Sequence, residues 1–342
     1  MKVLVTGGTG FIGSHVVRAL LHEGYDVRVL HLPGDKMLNL KGLQLERLTG
    51  DITDIRAVER AISGCQRVFH VAALYAIWLR RPEKLLEVNV EGTRNVLEAA
   101  AQHGVEKVVY TSSIAVFGGQ GLDKDATEKS PFRLGQTGDL YSISKYSAHQ
   151  VALSYAKRGL DITIVAPTGP IGPGDIGPTP TGKILLAAYQ APIGFSIDTI
   201  SNFADVRDMA QGHVLAAEKG LKGETYLLGT RNLHTRELQK LVQRAAGRNP
   251  PIIRFPHKLV SLASYGMTHY SQKISHKAPL FTPATLRIMR LGLRADCSKA
   301  VQELGLPQNP IERAIRDSLG WYAENGYMKR TLHFIRRKKA WR

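Results

Sequence analysis

Tyr141 and Lys145 stand four residues apart in "YSISK", within a helical pattern, so both project from one helix face. An ammonium beside a phenol favours the phenolate and lowers its pKa, which would let Tyr141 exchange a proton with a substrate oxygen near neutral pH. Such a pair is common and usually idle, so its weight comes from its company. The strand-like run "VVYTSS" ends at Ser113, at the edge where active-site hydroxyls emerge from a parallel sheet. The second chemical signal is "TGGTGFIGSH" (6–15), which follows a strand and opens a helix. There Gly7 allows a tight turn, Gly10 a close backbone approach and Gly13 helix-to-strand packing. The helix N-terminus at Phe11 and Ile12 offers free amides to a pyrophosphate.

Further candidate cofactor contacts follow the same chain order. Asp51 and Ile52 in "GDITD" suit one polar and one apolar contact to an adenine, or Asp51 caps the helix "IRAVERA". Ala72 and Ala73 in "HVAA" are small enough for a cofactor to lie against the sheet, and Pro167 closes the strand "DITIVAP". The second strand ends "VLHLPGDK", with His31 and Leu32 where an NAD site would carry an acid on the ribose. Lack of that acid removes a repulsion against a ribose phosphate, although no arginine stands ready to grip one. The expected cofactor is NADP, with NAD the alternative.

The elements that would hold these residues alternate strictly. Strands are expected at 2–6, 26–32, 43–49, 67–73, 107–113 and 161–167, with amphipathic helical stretches between them. Strand, helix, strand in succession implies right-handed crossovers and a doubly wound parallel sheet. After Pro167, "TGPIGPGDIGPTPTGK" carries five glycines and four prolines and reads as a long loop at a ligand-bearing sheet edge. A helix from about Lys183, a strand near "FSIDTI", a helix "VRDMAQGHVLAAEKG", a strand "TYLLG" and then mostly helices complete the pattern. The expected organisation is a dinucleotide-binding domain over 1–170, with 200–220 returning to it. An interleaved, smaller substrate domain over 171–330 and a basic tail at 331–342 follow.

The 342 residues can bury a full core without a disulfide, and Cys65 and Cys297 in unrelated contexts fit two idle thiols in a reducing compartment. No charged leader with an apolar signal core precedes the first strand, and no run approaches a bilayer span, so a cytoplasmic enzyme is expected. The twelve histidines show no metal-ligand spacing, and His70 on a strand reads as a core or cofactor-side residue. Residues 1–218 balance acid and base, so the whole net charge of +17 lies in 219–342. It is densest in "YMKRTLHFIRRKKAWR" (327–342), where Leu332, Phe334, Ile335 and Trp341 interleave with bases. That mixture suits peripheral contact with an anionic membrane or a merely solvated tail; nucleic acid is disfavoured for want of a binding module and stacking aromatics.

Taken in order and spacing, "TGGTGFIG", "GDITD", "HVAA", "NVEGT", "YTSS" and "YSISK" resemble the extended short-chain dehydrogenase/reductase family, also called the NAD-dependent epimerase/dehydratase family. "SKAVQELGL" and "AIRDSLGWYAENG" look like its C-terminal helices. "APTGPIGPGDIGPTPTGK" and "LYAIW" look most like its dihydroflavonol-4-reductase-like branch, and within that the hopanoid-associated sugar epimerase type. The resemblance implies that Ser113 bonds the substrate oxygen, Tyr141 is the acid/base, and Lys145 holds the nicotinamide ribose and tunes Tyr141. It also implies that Asn89 supports that helix and the cofactor, and that the chain is a homodimer. Two departures stand out: Leu32 replaces the branch's usual arginine, and Asp205 in "ADVRDMA" replaces a histidine. Asp208 there suits a helix-start acid.

The leading expectation is an NAD(P)-dependent oxidoreductase acting on the carbonyl or secondary alcohol of a fairly bulky small molecule. The alternatives are a nucleotide-sugar epimerase or dehydratase that retains its NAD, and a cofactor-binding regulator without turnover. Specificity is expected from irregular segments around 74–81, 168–183 and 253–295, with Tyr265, Met267 and Tyr270 either pocket residues or ordinary packing.

Overall fold

The computed structural model describes residues 1–276, 279 and 281–328; the basic tail expected at 331–342 lies outside the described residues. Its main sheet takes strands β1 (Lys2–Thr6), β2 (Asp26–His31), β3 (Glu46–Thr49), β4 (Arg67–His70), β5 (Lys107–Thr111) and β6 (Ile162–Pro167). A second region adds β7 (Gly169–Ile171), β8 (Gly194–Ile197), β9 (Ile200–Asp205), β11 (Arg231–His234) and β12 (Ile252–Phe255), while β10 (Thr225–Leu228) completes the main sheet. The helices are α1 (Phe11–His22), α2 (Ile55–Ile62), α3 (Lys84–Leu86), α4 (Gly92–Gln102), α5 (Leu140–Lys157) and α6 (Pro180–Gln190). They continue with α7 (Val206–Lys219), α8 (Thr235–Ala245), α9 (His257–Tyr270), α10 (Pro283–Leu291) and α11 (Ile311–Glu324).

The main sheet is parallel throughout, in the order β10-β6-β5-β4-β1-β2-β3. Period-two alternation of apolar residues explains why helices cover both faces. Val3, Val5, Val27, Val29 and Phe69 pack with Val16, Val17 and Leu20 of α1 and Met209 and Val214 of α7. Their chain neighbours Leu4, Leu30 and Val68 face the other way, against Val58 of α2, Val96 and Leu97 of α4 and Ala152 of α5. Strand β1 pairs with both β2 and β4, so the chain reverses direction of winding at this point and opens a crevice at the carboxyl edge.

The doubly wound fold matches the expectation from sequence, with instructive differences. "FSIDTI" forms the end of β8 and the start of β9, split at Asp198–Thr199, and these belong to two small sheets, β12-β8 and β11-β9-β7. The chain's return to the main sheet extends past residue 220 to β10, which pairs with β6. Much of the segment 253–295 is helical, in α9 and α10, and so is Pro180–Gln190, because Thr179 accepts a cap bond from Gly182 N and Pro180 sits at the helix start. A third apolar cluster, including Ile171, Phe203, Leu238, Ile315 and Tyr322, holds this smaller region together.

Candidate active site

Every candidate catalytic and cofactor residue except Asn89, Tyr141, Lys145 and those of the α1 turn lies at, or just beyond, the carboxyl end of a main-sheet strand. The turn after β1 is the tightest part. Gly7 has a φ of +70°, and a Cβ there would meet the Ala72 Cα at 2.6 Å. A Cβ on Gly13 would stand 2.1 Å from the Gly7 carbonyl oxygen, whereas one on Gly10 would meet that oxygen at 3.3 Å and nothing closer. Gly10 is the helix N-cap and supplies no side-chain cap, so the α1 terminus, with the Phe11 and Ile12 amides, is left for an anion. The residues present therefore fit a dinucleotide diphosphate, with the first and third glycines demanded by the protein's own backbone and the second by the space above it.

The long Gly/Pro loop is tied down beside this turn. His15 Nε2 lies 2.9 Å from Pro173 O, and Asn39 Nδ2 donates to Thr9 O and Gly174 O at 3.3 and 3.0 Å. At β2, His31 is half-buried, with Nδ1 3.0 Å from Leu32 O, and Leu32 is exposed. Asp35 accepts from Met37 N and shapes its own turn. Asp51 accepts from Thr53 N, and the cap of α2 is Asp54, which accepts from Arg56 N; the expected capping role thus belongs three residues later. Ile52 is buried against Gly92, where a Cβ would be 2.6 Å from its Cδ1, so its side chain serves the core. Ala72 adjoins the glycine turn, Ala73 follows it, and Pro167 is buried at the end of β6.

Asp139 caps α5, accepting from Ser142 N at 2.8 Å and Ser142 Oγ at 2.6 Å, and this fixes the turn that carries Tyr141. Ser113, just beyond the end of β5, lies near enough to the Tyr141 phenol to favour its ionised form. Burial nevertheless pushes Tyr141 up to about 12, only partly offset by Ser113, and the Asp139 charge raises it further. Lys145, buried one turn later, donates from Nζ to Thr111 O at 2.7 Å and lies 5.2 Å from the centroid of the Tyr110 ring. Burial brings it down to about 7. The expected lowering of the phenol by Lys145 is therefore corrected: the ammonium is directed at a strand carbonyl and its own charge is weakened by desolvation.

Asn89 lies in a π-helical turn (Glu87–Glu91) between α3 and α4, a distortion that often marks a functional site. Its Oδ1 accepts from Leu74 N at 2.7 Å, and its Nδ2 donates to Leu74 O and Ser144 Oγ at 3.0 and 2.9 Å. Ser144 Oγ donates in turn to Tyr141 O at 2.8 Å. These bonds occupy the amide, so Asn89 positions the 74–75 segment and α5 instead of meeting a cofactor.

Sequence reasoning missed Tyr75, whose ring centroid is 4.5 Å from that of Tyr141, and Thr111, the anchor of Lys145. His70, expected as a core or cofactor-side residue, is core and bridges Thr6 and Thr93. Two further buried histidines beneath the site were missed: His149 bonds Ser112, and His213 spans Thr111 and Met209 O. Asp205 caps α7 and pairs with Arg207, and Asp208 accepts from Asn309, so both hold structure. Both cysteines are buried, and no group of metal-ligating side chains occurs among the described residues.

Burial holds the histidines neutral, at about 3 for His70 and about 4 for His149 and His213. Their folded values lie below the unfolded one, so the unfolded chain gains protons first on acidification. Stability should be fully present above pH 6.5 and fall below it, down to about 4 for His149 and His213 and about 3 for His70, by about 1.4 kcal/mol for each unit separating an imidazole's unfolded and folded values. Thermal melts across this window check it, and His149→Gln should flatten the slope; a pH-independent midpoint would contradict the assignment.

Residues 3–229 match the model of the NAD dependent epimerase/dehydratase family. The chain is 38% identical over 329 residues to a Synechocystis sp. protein named "Putative dihydroflavonol 4-reductase", with 95% of each covered. It is 30% identical to the 3-beta-hydroxysteroid dehydrogenase of Mycolicibacterium neoaurum, over 94% of this chain and 92% of that one. The crystal structure of gox2253 superposes with a TM-score of 0.85 at 35% identity, covering 96% of this chain and 99% of that chain.

Proposed function

The chain belongs to the NAD dependent epimerase/dehydratase family, and from that premise we propose that it reduces a carbonyl group on a bulky small molecule with NADPH, or runs the reverse oxidation. The observation that carries this reading is the placement of Ser113 just beyond the end of β5 and of Tyr141 on the capped start of α5, with buried Lys145 one helical turn later reaching Thr111 O on the same strand. Held near 12, Tyr141 is a neutral phenol at physiological pH and so carries the proton that a reduced carbonyl oxygen requires. Ser113 Oγ accepts from Ala115 N at 3.2 Å, which leaves its own proton to donate to the same oxygen. Lys145 keeps donors beyond the one given to Thr111 for a ribose hydroxyl. When bound, the nicotinamide supplies the hydride.

Bulky substrates are supported by the names of the flavonol- and steroid-type relatives. Within the family we place the chain in the dihydroflavonol-4-reductase-like branch, near the hopanoid-associated sugar epimerase type, on the strength of "LYAIW" and the 166–183 loop. Mass spectrometry of the co-purified nucleotide, followed by a carbonyl screen read by NAD(P)H absorbance, tests the proposal. Conversion of a nucleotide sugar without net nucleotide consumption would replace it with the epimerase reading.

NADP is favoured because no carboxylate stands at the end of β2, where His31 and exposed Leu32 occur and Asp35 is engaged in its own turn. Fluorescence titration should give NADPH a dissociation constant no weaker than that of NADH. A clear preference for NADH would reject the assignment.

A further inference from the structure

Helix α9 is built inside out. Its buried positions include Ser264, at 0% exposure, while Leu262 is 75% and Ile274, just beyond the helix, 65% exposed. Leu259, Leu262, Gly266, Tyr270 and Ile274 recur at three- and four-residue steps and so form one stripe. Tyr265 and Tyr270 are more than half exposed, so they are neither core packing nor an enclosed pocket wall. The strand that precedes α9 also exposes Ile253 and Phe255, and Phe255 meets the exposed Phe195 of β8 at 5.5 Å between centroids. Soluble surfaces seldom carry so many large apolar groups together.

Charge identifies what would cover this face. No Asp or Glu occurs between Glu237 and Asp296, while Lys258 and Lys273 flank the stripe and Arg290 is carried by α10, which packs on α9. Asp198, which follows β8 at the edge of this face, is already paired with Arg254 at 2.6 Å, so a second copy presenting the same face would still set Lys258 and Lys273 against bases. An anionic bilayer supplies the missing negative charge, together with an apolar layer for leucines and an interface for tyrosine hydroxyls.

We propose that the outward stripe of α9, with the adjoining Phe195/Phe255 edge, docks the protein onto anionic membranes. The inference stands independently of the reaction assigned above and of the tail.

The test uses the full chain and vesicles of phosphatidylcholine, alone or mixed with phosphatidylglycerol. A Leu262→Cys variant can carry an environment-sensitive dye at this position, because Cys65 and Cys297 are buried. Its emission should shift to the blue with the mixed vesicles, revert in high salt, and stay unchanged with phosphatidylcholine alone. The pair Leu259→Asn and Leu262→Asn should weaken co-sedimentation about tenfold or more without moving the melting temperature, since both positions are exposed. Lys258→Glu with Lys273→Glu should weaken it as well. Three results would overturn the proposal: absence of vesicle binding, binding that leaves the dye and both paired variants unaffected, or a concentration-dependent dimer that the leucine variants abolish while vesicle binding persists.

Discussion

Tyr141→Phe is expected to bind its dinucleotide within a few-fold of the wild type and to turn over about a thousandfold more slowly. The separation follows from what the phenol touches. Its hydroxyl feels the nearby Ser113, while its ring lies 4.5 Å from that of Tyr75, a contact that phenylalanine retains. Helix α5 keeps its Asp139 cap and the Asn89–Ser144 tie, so Lys145 stays where it was. What is lost is the proton needed as the substrate oxygen gains charge, an interaction realised in the transition state and absent from cofactor binding. The effect should therefore fall on kcat, with KM nearly unchanged. Isothermal titration with NADPH and steady-state kinetics on a verified substrate measure the two quantities; wild-type turnover in this variant would remove Tyr141 from the acid/base role.

Local patterns made much of the fold legible. The alternation of Val3, Leu4 and Val5 is a statement about two faces that can be read within five residues, and the glycine spacing is confined to one turn. Tyr141 and Lys145 share a helix, so their common face follows from periodicity alone. What remained hidden depends on distance along the chain. Thr111 meets Lys145 across 34 positions, and Asn89 reaches Ser144 across 55. The direction of the pKa shifts was hidden for the same reason: burial, which raises Tyr141 and lowers Lys145, is set by packing that no short window contains. Asp51 could be read as a cap because it precedes "IRAVERA", but Asp54 precedes it too, and backbone geometry selects the nearer. In α9 the apolar spacing was visible, but its direction was not, since periodicity identifies a face without saying what it faces.

Gly13→Ala and Gly10→Ala should part company, and the contrast decides whether the first turn is a phosphate cradle or merely a tight bend. A methyl at Gly13 would stand 2.1 Å from the Gly7 oxygen and 2.8 Å from its carbonyl carbon, both backbone atoms. The turn cannot simply open, because Gly10 N donates to that same oxygen at 3.0 Å and Gly7 is itself lodged against Ala72. Displacement of α1 should cost about 1–3 kcal/mol of stability and distort the amide array, weakening dinucleotide binding about a hundredfold. At Gly10 the contact is far milder: a Cβ would meet the Gly7 oxygen at 3.3 Å, a tight approach that asks for a small shift only, and a φ of −73° with a ψ of 177° suits alanine. The melting temperature of Gly10→Ala should thus fall much less than that of Gly13→Ala. Its methyl would nevertheless project over the α1 N-terminus, into the space a diphosphate needs, so NADPH affinity should fall about tenfold or more with the fold intact. Thermal melts and NADPH titrations on the two variants make the comparison. If Gly10→Ala bound NADPH as tightly as the wild type, the second glycine would have no ligand to accommodate, and the diphosphate would have to lie elsewhere.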